Sequence, residues 1–140
     1  MAVFQAVKCL NPIQTYNITT THTISKGVPV VLTSGIITVA GTSVLNILGI
    51  AHETVASGNG GTIKVLPANG PNGPTIFKGT AALASTSCGA SYTLSVATNA
   101  ATIELTADTT LGAFYAMTAD GTNFWGVFSG NAFEGAGTIA

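Results

Sequence analysis

The chain has 140 residues, 46% of them hydrophobic and only 6% charged, with a net charge of −1, where a soluble domain usually carries about 25% charged residues. Four lysines and no arginine cannot form the basic stripe that displaces counterions from nucleic acid, which excludes a nucleic-acid binder. High hydrophobicity with little charge excludes a disordered chain, and 17 glycines without a period exclude a collagen-like one. The exterior must then be mostly Thr, Ser, Asn, Gly and Ala. Such a surface holds few ions that must leave water, so covering it costs little, and we expect other protein to cover much of it.

From the N-terminus, Met1–Lys8 lacks the basic-then-apolar order of a cleaved export signal, so synthesis and folding are expected in a cytosol. Met1–Pro12 is expected to be an arm that docks elsewhere, with Val3 and Phe4 as contact residues. Strands are predicted over Gln14–Thr21, Pro29–Thr33, Ile36–Val39, Asn46–Ile50 and Thr62–Leu66, with Tyr16 of the first a candidate contact residue. The uncharged run from Val28 to Ala51 is long enough to raise the question of a membrane span. Pro29, Gly35, Gly41, Asn46 and Gly49 cut it into strand-length pieces, so no membrane partner is expected. Turns are predicted at Ser34-Gly35 and at Gly58-Asn59-Gly60-Gly61. The second resembles a phosphate cradle only in glycine content, because a strand rather than a helix follows it.

Pro67–Pro74 holds three prolines and two glycines in eight residues and reads as a linker or an exposed loop. Thr80–Ser87 has no clear assignment. Further strands are predicted over Ser91–Val96, Ala101–Thr106, Ala113–Thr118 and Asn123–Ser129. Asp120-Gly121 makes the last two a hairpin, since both residues tolerate positive φ. The expected fold is all-β: one or two small antiparallel β-barrel or sandwich modules with little helix. Residues 1–66 form an arm and a first module, 67–74 a linker or loop, and 75–140 a second module with an aromatic hairpin and tail. The halves echo each other. Gly27…Leu32 is answered by Gly89…Leu94, Leu48-Gly49 by Leu111-Gly112, and Ile63 and Val65 by Trp125 and Val127, at offsets of 62 or 63 residues.

Reactive constellations are scarce. His22 and His52 stand thirty residues apart with no Asp or Cys at ligand spacing, and the five acids are dispersed. No GxSxG elbow and no calcium-loop pattern occurs. Cys9 and Cys88 are too few for a disulfide framework and read as free thiols. Asn17-Ile18-Thr19 is a glycosylation acceptor by pattern only, inert without export. We therefore expect no enzyme, no metal, no cofactor and no small-molecule substrate. The aromatics Phe114, Tyr115, Phe124, Trp125, Phe128 and Phe133 crowd the C-terminal part. Phe124 and Trp125 are neighbours on one strand and must face opposite sides. One of them is thus a contact residue, and Trp125 and Phe133 join Val3, Phe4 and Tyr16 as candidate partner-interface positions.

One resemblance is carried by specific segments: Met1–Lys8, Thr19-Thr20-Thr21, Ile24–Leu32 with its Lys26-Gly27 strand start, Asn46–Thr54 with Ile47-Leu48-Gly49-Ile50-Ala51, and Gly60–Val65. Over residues 1 to 66 the chain resembles the small β-rich decoration (cement) proteins on the capsids of tailed bacteriophages. The resemblance implies a structural virion protein, made in the host bacterial cytoplasm and carried on the outer capsid surface. It would bind the major capsid protein and stabilise contacts between subunits, as a homo-oligomer or as copies arrayed on a lattice. A second expectation, which requires an exposed aromatic platform involving Trp125 or Tyr115, is a carbohydrate- or receptor-binding β module of a phage tail or surface structure.

Overall fold

The computed structural model describes residues 4–9, 11–19, 23–41, 44–56, 61–97, 100–108, 110 and 112–128. Eleven strands account for nearly all of the regular structure: β1 (Gln5–Lys8), β2 (Gln14–Ile18), β3 (Pro29–Thr33), β4 (Ile36–Val39), β5 (Gly49–Ala51), β6 (Gly61–Pro67), β7 (Ile76–Thr80), β8 (Ala90–Ala97), β9 (Ala100–Ala107), β10 (Phe114–Ala119) and β11 (Asn123–Phe128). A single 3₁₀ turn, Ser85–Ser87, is the one helical piece among the described residues. The chain is thus all-β, as its Val-, Ile- and Thr-rich composition requires.

Strands β2-β4-β3-β5-β6 close into a barrel. All its pairings are antiparallel except β2 with β4, which meet in parallel at Asn17 and Ile36. Alternate residues turn inward, so that Ile18, Val30, Ile37, Leu48, Ile63 and Val65 fill the barrel with Ile24 and Val55. The β3–β4 hairpin turns on Ser34 (φ 51°) and Gly35 (φ 82°). Positive φ at both central residues gives the twist that two-residue hairpins need, and the Ser34-Gly35 expectation holds. Gly49 serves a close approach instead: a Cβ there would collide with the Leu66 carbonyl oxygen.

The other strands form a six-stranded antiparallel sheet in the order β1-β7-β11-β10-β8-β9. Its order repeats that of the barrel. Taken as β9-β8-β10-β11-β7, it matches β4-β3-β5-β6-β2 strand for strand, with the same antiparallel senses. The parallel seam that closes the barrel has no ladder among the described residues of the sheet, where the Thr102 hydroxyl reaches across to the Thr80 carbonyl (2.7 Å). The β7 edge is taken by β1 instead. The repeat is one of topology rather than of facing. Ile63 and Val65 are fully buried, while their expected counterparts Trp125 and Val127 are half-buried on the outer face. An offset wrong by one residue exchanges the two faces of a strand.

Two strands were not expected. The segment Gln5–Lys8, read as an arm docking elsewhere, pairs with β7 of its own chain, and β7 itself was not foreseen. The reason lies in Phe4, which is 1% exposed and packs on Phe114, Phe124 and Phe128 at centroid distances of 5.2, 5.8 and 5.1 Å. Phe77 adds a further ring at 5.1 Å from Phe128. Burying a phenylalanine is worth about 1.5–3 kcal/mol, and each tilted or edge-on ring pair adds about 0.5–1.5 kcal/mol. The same cluster takes in Ala40, Ile47, Ile50 and Ala68, so barrel and sheet share one core. The strand expected over Asn46–Ile50 is displaced to Gly49–Ala51, because Leu48 N–H bonds to Val30 outside the ladder.

The Pro/Gly-rich stretch is clamped. Asn11, 7% exposed, donates from Nδ2 to the Gly73 carbonyl (2.7 Å) and accepts the Asn72 N–H at Oδ1 (3.1 Å). A Cβ at Gly70 would lie 2.6 Å from Asn11 Oδ1, so a side chain there would displace the clamp. Thr75, fully buried, donates to the Pro67 carbonyl (2.8 Å). Among the described residues no buried side-chain polar atom lacks a partner. Asn11→Ala removes both part-buried clamp bonds, each worth about 0.5–1.5 kcal/mol, and we expect it to cost about 1–3 kcal/mol of unfolding free energy. Chemical denaturation checks this; an unchanged midpoint would show that the clamp is dispensable.

Candidate interaction surfaces

The inward face of the six-stranded sheet carries the aromatic core, which leaves its outward face to solvent. Phe124 is fully buried and its neighbour Trp125 is half-buried on the opposite side, as alternation demands. Trp125 pairs in register with Lys78 of β7, and the Lys78 Nζ stands 5.8 Å from the indole centroid. Such a cation–π contact contributes about 0.5–1 kcal/mol at an exposed site and holds the lysine stem over the ring. On β10, Tyr115 (39% exposed) pairs with Val127. Met117, two residues along on the same face, is 49% exposed, and a bulge between Ala116 and Thr118 turns Thr118 outward as well. Trp125, Val127, Tyr115 and Met117 therefore form an apolar band across β11 and β10.

The hairpin tip fixes this band. The Asp120 carboxylate accepts the N–H groups of Thr122 (2.9 Å) and Asn123 (2.7 Å). Those backbone N–H groups, Asn123 first, hold its carboxyl below the usual aspartate range. Gly121 takes φ 89° beside it. The 81–84 segment is pinned to the same tip, with Ala81 N–H bonded to the Thr122 carbonyl and Gly121 N–H to that of Leu83. Tyr92 closes the following turn by donating its hydroxyl to the Ser87 carbonyl.

The positions expected at a partner interface do not come together. Phe4 is a correction: it lies in the core of its own chain, because an apolar ring next to the β7 edge is held by the phenylalanines beneath it. Tyr16 is on β2 of the barrel, half-buried against the barrel cluster, where burial raises its phenol pKa. Trp125 is on the sheet, in the band just described. Val3 and Phe133 lie outside the described residues, as does His22. Tyr115, expected with Trp125 in an exposed aromatic platform, is 39% exposed on β10. Met117 was missed as a surface residue, although it shares the outward face of Tyr115 by strand alternation.

The remaining chemistry-bearing side chains are spread out. His52 N–H bonds to the Lys64 carbonyl, while the Lys64 N–H donates to Glu53 Oε2 (3.0 Å), so His52-Glu53 straps the end of β5 to β6. Cys9 and Cys88 are free thiols, both half-buried, with the Thr75 hydroxyl 3.4 Å from the Cys9 sulfur. Among the described residues no three or more His, Cys, Asp or Glu side chains gather to hold a metal ion. No helix among them is long and apolar enough to cross a membrane.

No known protein-family model matches this chain, and no curated protein matches its sequence. The Asp120 carboxyl, charged and bonded in the fold, supports the hairpin above the ordinary aspartate pKa; that support is lost as pH falls through the lowered value. A ¹³C-detected carboxyl titration should place Asp120 below the ordinary aspartate range. A value at or above the ordinary range would contradict the capping geometry.

Proposed function

We propose that this protein is a structural binding component, and specifically a capsid decoration (cement) protein of a tailed bacteriophage. In this reading it sits on the outer surface of the shell and stabilises contacts between major capsid protein subunits. The observation that carries the proposal is the band Trp125–Val127–Tyr115–Met117 on the outer face of a rigid sheet, in a chain with only 6% charged residues. Aromatic and methionine side chains are enriched at the centres of protein interfaces, and charges are depleted there. The resemblance of residues 1–66 to decoration proteins supplies the partner. A ligand that binds only the assembled shell stabilises it by mass action, and many arrayed copies turn weak contacts into strong attachment. The protein would be made in the host cytoplasm and carried on the virion.

A second reading is a carbohydrate- or receptor-binding module of a phage tail or surface structure. It is favoured by the same indole and phenol, since aromatic rings with one wet edge also suit sugar faces. Capsids assembled without the protein separate the two. Micromolar protein should co-sediment with them saturably and raise their melting temperature, and Trp125→Ala or Met117→Asp should weaken binding at least about tenfold if the band is an interface hot spot. Failure to associate with capsids would overturn the decoration reading, and a tryptophan fluorescence response to glycans would favour the second.

A further inference from the structure

Strand β1 ends the six-stranded sheet: one edge pairs with β7 and the other carries no strand among the described residues. Beside it lies a cleft of about 470 Å³ between sheet and barrel, within the usual size range of binding sites. One wall is Phe4, Gln5 and Ala6. Successive strand residues point to opposite faces, so three in a row bordering one space means that the main chain lines it. The facing wall is Lys26-Gly27 and Ile50-Ala51-His52, with Leu66 between them. The Phe4 N–H bonds to the Gly27 carbonyl (3.1 Å) and ties the two walls together. Ile50 is 4% exposed and Leu66 is half-buried, which makes the floor apolar.

The charge of the cleft is one-sided. Among the described residues its titratable side chains are Lys26 and His52, and no carboxylate lines it. Glu53 follows His52 in sequence, but its carboxylate is taken by the Lys64 N–H on β6. The Lys26 backbone is fixed by its N–H bond to the Thr54 hydroxyl (3.0 Å).

We propose that this cleft binds an extended, acid-bearing peptide segment of a partner protein. The segment adds to the open edge of β1 through main-chain hydrogen bonds and rests small apolar side chains on Ile50 and Leu66. It presents an Asp or Glu carboxylate to the Lys26 ammonium and the His52 ring. Edge pairing gives affinity, and the alternating side chains give selectivity. A cationic wall without a counter-acid selects against basic segments. The inference stands apart from the capsid reading, because neither the outer aromatic band nor a shell enters it.

The test uses the full chain, ¹⁵N-labelled, titrated with acetyl-Thr-Val-Glu-Val-Thr-amide and with its Gln and Lys analogues. The Glu peptide should shift the amides of Gln5, Ala6, Val7, Lys26, Gly27 and His52. It should bind up to about fivefold more tightly than the Gln analogue, the range of a solvent-exposed ion pair, and the Lys analogue should bind most weakly. Lys26→Gln, an exposed position, should erase the Glu preference with the rest of the spectrum unchanged, while Trp125→Ala should leave it intact. Absence of shifts at β1, shifts confined to β10 and β11, or equal binding of all three peptides would overturn the proposal. Loss of peptide binding with capsid binding retained would remove the cleft alone.

Discussion

The insertion of one ring, Phe4, among Phe114, Phe124 and Phe128 is the contact on which the rest of the architecture depends. It holds β1 against β7, although every described side chain of β1 itself is exposed and contributes little burial. It also completes a cluster to which the barrel contributes Ala40, Ile47, Ile50 and Ala68. With few charged residues available, apolar burial at about 25 cal/mol per Å² and aromatic packing are the main stabilising terms. The Asn11 clamp on the 67–74 stretch adds a polar tie between the same two parts.

A repeated strand order gives the two parts different uses. In the barrel, the parallel seam of β2 and β4 consumes both edges. The sheet lacks that seam, so its order ends in β1 on one side and β9 on the other. Open edges are templates for further pairing, and one of them borders the Lys26 and His52 cleft. The sheet's outer face adds an apolar band with Tyr115 and Met117 exposed and Trp125 partly under the Lys78 side chain. Shared-core packing therefore holds an open edge and an apolar face in one body. Under the proposed binding role, few ions would need to be stripped of water on docking.

The strands were legible where composition and punctuation agreed. Pro29–Thr33, Ser34-Gly35 and Ile36–Val39 show β-branched runs broken by a residue pair that suits positive φ, and the structure follows them residue for residue. The Asp120-Gly121 hairpin was equally plain, with Asp120 available to cap the tip. Strand β1 was not, because Gln-Ala-Val-Lys has no buried alternation and owes its conformation to Phe4 and to the edge of β7. Strand β7 was hidden because Lys78 and Gly79 interrupt its apolar pattern. Gly79 is needed there because a Cβ would strike the Phe124 ring. Of the candidate contact positions, Trp125 could be placed on the outer face through the parity of neighbours on a strand. Phe4 was misplaced because an exposed arm and a core plug look alike in sequence. Tyr115 was expected beside Trp125, and Met117, two residues further along β10, shares its outward face by the same alternation.

Calorimetry of the full chain beside Phe4→Ala most directly tests whether barrel and sheet are one body joined at this ring. Removing the ring should cost about 3–5 kcal/mol, as for other buried phenylalanines. The wild-type chain should melt in one transition whose calorimetric and van't Hoff enthalpies agree, and the variant should melt as a single unit at lower temperature. Two separate wild-type transitions, or a variant in which part of the molecule melts at the original temperature, would contradict a shared core and with it the fixed presentation of edge and face.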